Sequence, residues 1–169
     1  MLIRIKAVLR GLYDRYKSNL IFKLRLEDIK YDGSNYFLMF RMQLKSTVIR
    51  YSLNEAVKKK LYTEINPFDS YCIGILHALS NIEEKYCIDS LVYKLSGHYH
   101  FDMDGQLELI ECNYLTGTIV LKSKHTNFSK RICIADFIRS AFILYALNAE
   151  NAYKIGYFIT EYLIENKVV

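Results

Sequence analysis

The sequence predicts an α+β protein: one domain, residues 1–169, made of a duplicated unit in which antiparallel strands lead into a helical hairpin. Three observations predict it. The chain resembles itself at an offset of 81–82 residues, apolar and polar residues alternate around Asp-Gly turns, and helix-capping residues precede stretches with helical spacing.

The repeat sets the boundaries, roughly 1–82 and 83–169. "RYSLNEAV" (50–57) lies over "RICIADFI" (131–138), pairing Arg50 with Arg131, Leu53 with Ile134, Glu55 with Asp136 and Val57 with Ile138. After a one-residue slip, "NPFDSYCIGIL" (66–76) lies over "NAENAYKIGYF" (148–158). Asn66, Tyr71, Ile73 and Gly74 are then identical to Asn148, Tyr153, Ile155 and Gly156.

Within this frame each element has a local cause. Leu2, Ile5, Leu9, Leu12 and Tyr16 have the spacing of an amphipathic helix. Leu20, Phe22, Leu24 and Leu26 then alternate with Lys23, Arg25 and Glu27. The chain turns at Asp32-Gly33 and resumes with Tyr36, Leu38, Phe40, Met42 and Leu44, the pattern of a hairpin. Ser52 and Glu55 form a capping box, in which the hydroxyl and the carboxylate each satisfy a free backbone amide. That box predicts a helix through about Glu64. Asn66 as cap, Pro67 at the first helical position and Asp69 at the positive helix end predict a second helix to about Asn81.

The second copy repeats the plan with a strand running into Asp104-Gly105, taken as the counterpart of Asp32-Gly33, and then "TGTIVLKSK". Cys133 replaces the capping serine and makes a weaker cap, while Asn148 caps a last helix bearing Ala152, Ile155, Ile159, Tyr162 and Leu163. Gly74 and Gly156 sit inside helices, where glycine costs about 1 kcal/mol relative to alanine. Their recurrence predicts close approach of two helix backbones.

Composition narrows the functional classes. Hydrophobic residues make up 51 % of the chain, too many for a disordered one. No apolar run reaches the roughly 18–20 residues that span a bilayer, and charges interrupt the N-terminus, so a cytoplasmic location is expected. Cys72, Cys87, Cys112 and Cys133 are widely spaced among apolar neighbours and read as reduced thiols.

"GHYHFDMDG" (97–105) is the stretch most suggestive of chemistry. On a strand, His98, His100 and Asp102 share one face, with the histidines roughly 6.5–7 Å apart, and can form an open three-ligand metal site. The competing reading is an ordinary half-buried strand with Tyr99, Phe101 and Met103 inward, and it is favoured because His77 and His125 fall on a helix and a polar loop. Phosphate-binding, zincin and nucleophile-elbow motifs are absent. Neither an enzyme nor a cofactor is therefore expected.

Charge is uneven: 14 Lys/Arg against 7 Asp/Glu in residues 1–82, and 9 against 11 in 83–169. Lys58, Lys59 and Lys60 form one basic run. Lys122, Lys124, Lys130 and Arg131, with His125 and Phe128, form another that also reads as a hairpin loop. Both are candidate partner-binding residues, and basic residues beside an aromatic ring suit a phosphate backbone with a stacked base. The expectation is a non-enzymatic protein-binding module, most concretely a bacterial immunity protein or toxin inhibitor. A nucleic-acid-binding accessory protein is the alternative, and a metal-dependent enzyme using His98, His100 and Asp102 the second alternative.

Overall fold

The computed structural model describes residues 24–42, 45, 47–81, 107–139 and 141–167. The expected N-terminal helix, Cys87 and the expected strand with the candidate metal residues His98, His100 and Asp102 lie outside them.

Two three-stranded antiparallel meanders are present. The first comprises β1 (Leu24–Tyr31), β2 (Tyr36–Met42) and β3 (Val48–Ser52); the second comprises β4 (Leu107–Asn113), β5 (Thr118–Ser123) and β6 (Ser129–Cys133). Each is followed by a short helix, a 3-10 turn and a long helix. These are α1 (Leu53–Lys58), Leu61–Thr63 and α2 (Pro67–Ser80), then α3 (Ile134–Arg139), Ala141–Ala146 and α4 (Ala149–Glu165). The α+β class and the repeated order of elements are thus as the sequence predicts.

The repetition extends to details. Register slips once in each first strand, between Leu26 and Asp28 and between Leu109 and Glu111, so both sheets carry a bulge at the same place. Asn66 and Asn148 each accept a hydrogen bond from the backbone amide three residues on, at 2.9 and 2.7 Å. Ser52 Oγ accepts from the Glu55 amide while the Glu55 carboxylate accepts from the Ser52 amide, completing the capping box. In the second copy Cys133 Sγ donates to Asp136 Oδ2 at 3.1 Å, so the side chains keep their pairing although sulfur has replaced oxygen.

Two expectations are corrected. The helix expected from Ser52 to Glu64 ends at Lys58, because Lys60 adopts the left-handed conformation (φ 52°) and a 3-10 turn follows. The counterpart of the Asp32-Gly33 turn is not Asp104-Gly105. β4 begins after that dipeptide, and the equivalent turn joins β4 to β5 at Tyr114–Gly117, where Gly33 and Gly117 both have positive φ (96° and 61°).

The long helices join the copies. A Cβ on Gly74 would stand 2.2 Å from the Tyr153 carbonyl oxygen, and one on Gly156 would stand 2.3 Å from that of Tyr71. Tyr71 and Gly74 are the repeat partners of Tyr153 and Gly156, so the contact is its own mirror under exchange of copies. The principal helix pairing therefore runs between units. Each long helix lays one row on its own sheet, Ile73 and Leu76 in the first copy and Ile155 and Phe158 in the second. Its tyrosine reaches an aromatic residue of the other copy: Tyr71 meets Phe137 at 6.4 Å, and Tyr153 stacks on Tyr62 at 3.9 Å.

The faces carrying those tyrosines have diverged. On α2, Phe68, Tyr71, Ile75 and Leu79 are buried in the larger core with Ile119, Leu121 and Phe137. Their repeat partners on α4 are Glu150, Tyr153, Tyr157 and Glu161, of which Glu150 is exposed and the others half-buried. One copy has a closed apolar face where the other has an open, polar and aromatic one.

Candidate functional site

That open face of α4 is one wall of a cleft of about 460 Å³. Its lining includes His77 of α2, Leu109 to Cys112 of β4, Tyr114, and Tyr153, Tyr157 and Phe158 of α4. The β4 bulge helps to build the wall. With one extra residue in the strand, four consecutive positions, 109 to 112, line the cleft instead of alternate ones.

The rings are fixed by hydrogen bonds. Tyr153 Oη lies 2.5 Å from His77 Nδ1, Asn81 Nδ2 donates to Tyr157 Oη at 3.2 Å, and Tyr114 Oη donates to Glu161 Oε2 at 2.7 Å. Tyr114 also meets Phe158 edge-on at 4.7 Å. Partial burial depresses the His77 pKa below its ordinary value, favouring the neutral ring, to which the Tyr153 hydroxyl can donate. Burial pushes the Tyr153 hydroxyl up to about 12 and the Cys112 thiol up to about 11. Burial, then the bond to Glu161, raises the Tyr114 hydroxyl. All these shifts favour neutral forms, and the one on Cys112 opposes the thiolate that a nucleophile needs.

Beside the cleft the surface is apolar. Ile110, Tyr114 and Leu115 are 54 %, 46 % and 95 % exposed, and all three lie on β4 and the turn that follows it. The sequence reading missed this patch and the cleft. The signal that would have found the cleft is the repeat itself, since apolar Phe68, Cys72, Ile75 and Leu79 align with Glu150, Lys154, Tyr157 and Glu161.

The residues singled out from the sequence fall on two other elements. Lys58, Lys59 and Lys60 end α1, with Lys59 Nζ 4.6 Å above the Tyr51 ring. Lys122, Lys124, His125, Phe128, Lys130 and Arg131 are all exposed on the β5–β6 hairpin, whose connecting loop is 124–128, while Lys130 and Arg131 lie on β6 itself. Phe128 is 65 % exposed. Among the described residues no group of three or more histidine, cysteine or acidic side chains is placed to hold a metal. No helix among them is long and apolar enough to cross a membrane.

No protein-family model, curated protein or solved structure matches the chain.

Proposed function

We propose that this protein is a non-enzymatic binding module whose partner is another protein, engaged through β4 and the β4–β5 turn. The supporting observation is Leu115, 95 % exposed at the turn, with Ile110 and Tyr114 exposed beside it. Single exposed apolar residues are ordinary, but a large aliphatic side chain grouped with an exposed isoleucine and a tyrosine has the character of an interface core. In its most specific form the reading is a bacterial immunity or inhibitor protein that neutralises a toxin or effector by covering its active site. Affinity capture with the wild-type chain and Leu115→Arg tests it: the partner is retained by the first at high salt and lost by the second.

A second reading has its own observation. Phe128 stands exposed on a hairpin that also carries Lys122, Lys124, Lys130 and Arg131, the combination that stacks a base while holding phosphates. On that reading single-stranded nucleic acid is bound, its affinity falls steeply with salt, and Phe128→Ala weakens it at every salt concentration.

A further inference from the structure

We propose that the cleft between β4 and α4 binds an alkylammonium group. The cleft shares Ile110 and Tyr114 with the proposed protein-binding surface but not Leu115, so Leu115→Arg tests that reading without touching the cleft lining. It rests on how the rings are held and on which charges face them.

Three tyrosines line the space, and the hydroxyl of each is engaged: Tyr153 with His77, Tyr157 with Asn81 and Tyr114 with Glu161. One face of Tyr153 is covered by Tyr62, and the ring surfaces left open to the cleft carry the negative face of the aromatic quadrupole. Tyr114 donates to a carboxylate, which leaves its ring richer in electrons and strengthens attraction to a cation. His77 and Phe158 complete the aromatic lining.

The charges agree. Glu111 lines the cleft and, among the described residues, forms no ion pair; its carboxylate accepts only from the Asn113 amide at 2.8 Å. Glu161, behind Tyr114, is likewise without an ion pair among those residues. The cationic residue in the lining, Lys154, is held 2.9 Å from Glu150 on its own helix, so its charge is matched. Electron-rich rings with an unmatched carboxylate among them favour an organic cation over a neutral or anionic ligand. The volume, about 460 Å³, is that of a small-molecule site.

The repeat shows what opens this face of α4. Positions Ile75 and Leu79 close the corresponding face of α2 with aliphatic side chains, whereas Tyr157 and Glu161 leave that of α4 open.

The test is a titration of the full chain, followed by the tyrosine aromatic resonances, with choline and with 3,3-dimethyl-1-butanol, its uncharged isostere. The cation should bind tighter by roughly 2- to 30-fold, and the saturable shifts should fall on Tyr114, Tyr153 and Tyr157. Nα-acetyl-lysine N-methylamide is the third titrant: binding tighter than choline assigns the cation to a protein lysine, and weaker assigns it to a free quaternary amine. Tyr157→Leu and, at an exposed strand position, Glu111→Gln should each weaken the cation and leave the isostere unchanged. Equal affinity for cation and isostere, or no saturable shift at the three tyrosines, overturns the proposal.

Discussion

Placing alanine at Gly74 or Gly156 tests the joint between the two copies. Ordinary contact for a Cβ begins near 3.4 Å, and a Cβ at Gly74 would stand 2.2 Å from the Tyr153 carbonyl oxygen, so the helices must separate by about 1.2 Å. The obstacle is backbone, which cannot rotate aside as a side chain does. The overpacking cost therefore belongs at the upper end of the usual range, about 3 kcal/mol. Alanine's better helix propensity returns about 1 kcal/mol, leaving a net loss of about 2 kcal/mol. For a chain of this length that lowers Tm by roughly 4–8 °C. Gly156→Ala should behave alike, since its Cβ would meet the Tyr71 carbonyl at 2.3 Å. The double variant carries the sharper expectation. One separation of the helices relieves both clashes, so it should cost clearly less than the two single losses combined. Urea unfolding followed by circular dichroism measures all three. A single alanine that stabilises the protein by about 1 kcal/mol would mean that propensity alone operates, and would refute backbone contact at the crossing.

The remaining predictions concern local devices. Ser52→Ala removes a complete capping box and should cost about 1 kcal/mol in chemical unfolding, whereas Cys133→Ser in the second copy should add stability by restoring the oxygen cap. Lys60→Gly relieves a left-handed lysine, partly offset by glycine's greater unfolded-state entropy, and should stabilise by roughly 0.5–1 kcal/mol, read as a higher urea midpoint at unchanged slope. His77 has a folded pKa below its ordinary 6.5, so the unfolded chain takes up the proton more readily. Its contribution to stability should be full above about pH 6.5 and lost as pH falls through the lower folded value. Comparison of Tm at neutral and acid pH should show a smaller acid loss in His77→Asn than in wild type.

Much of the fold was legible because its causes are local. Asn66 and Asn148 announce their helices through side chains that can cap, and the glycines at 74 and 156 recur where a repeat needs backbone contact. What stayed hidden depends on tertiary context. No glycine or proline marks the break at Lys60, where a lysine holds a conformation that glycine adopts more easily. Asp104-Gly105 is a strong hairpin signal and drew the turn assignment, yet the equivalent turn uses Gly117, whose preceding Tyr114, Leu115 and Thr116 carry little turn character. Both bulges add one residue to a strand without changing its composition. The candidate site was the least legible part. Leu115 and Ile110 belong to no motif, and only the structure sets them together at the surface.

The central claim is that the β4–β5 turn recognises another protein. Its most direct measurement is affinity capture at low and high salt with wild type and Leu115→Arg, followed by the dissociation constant for whatever protein is retained. The account predicts one protein that survives high salt on wild type and is lost from a Leu115→Arg variant of unchanged Tm. Capture that is indifferent to Leu115, or nucleic acid that elutes as salt rises, would contradict it.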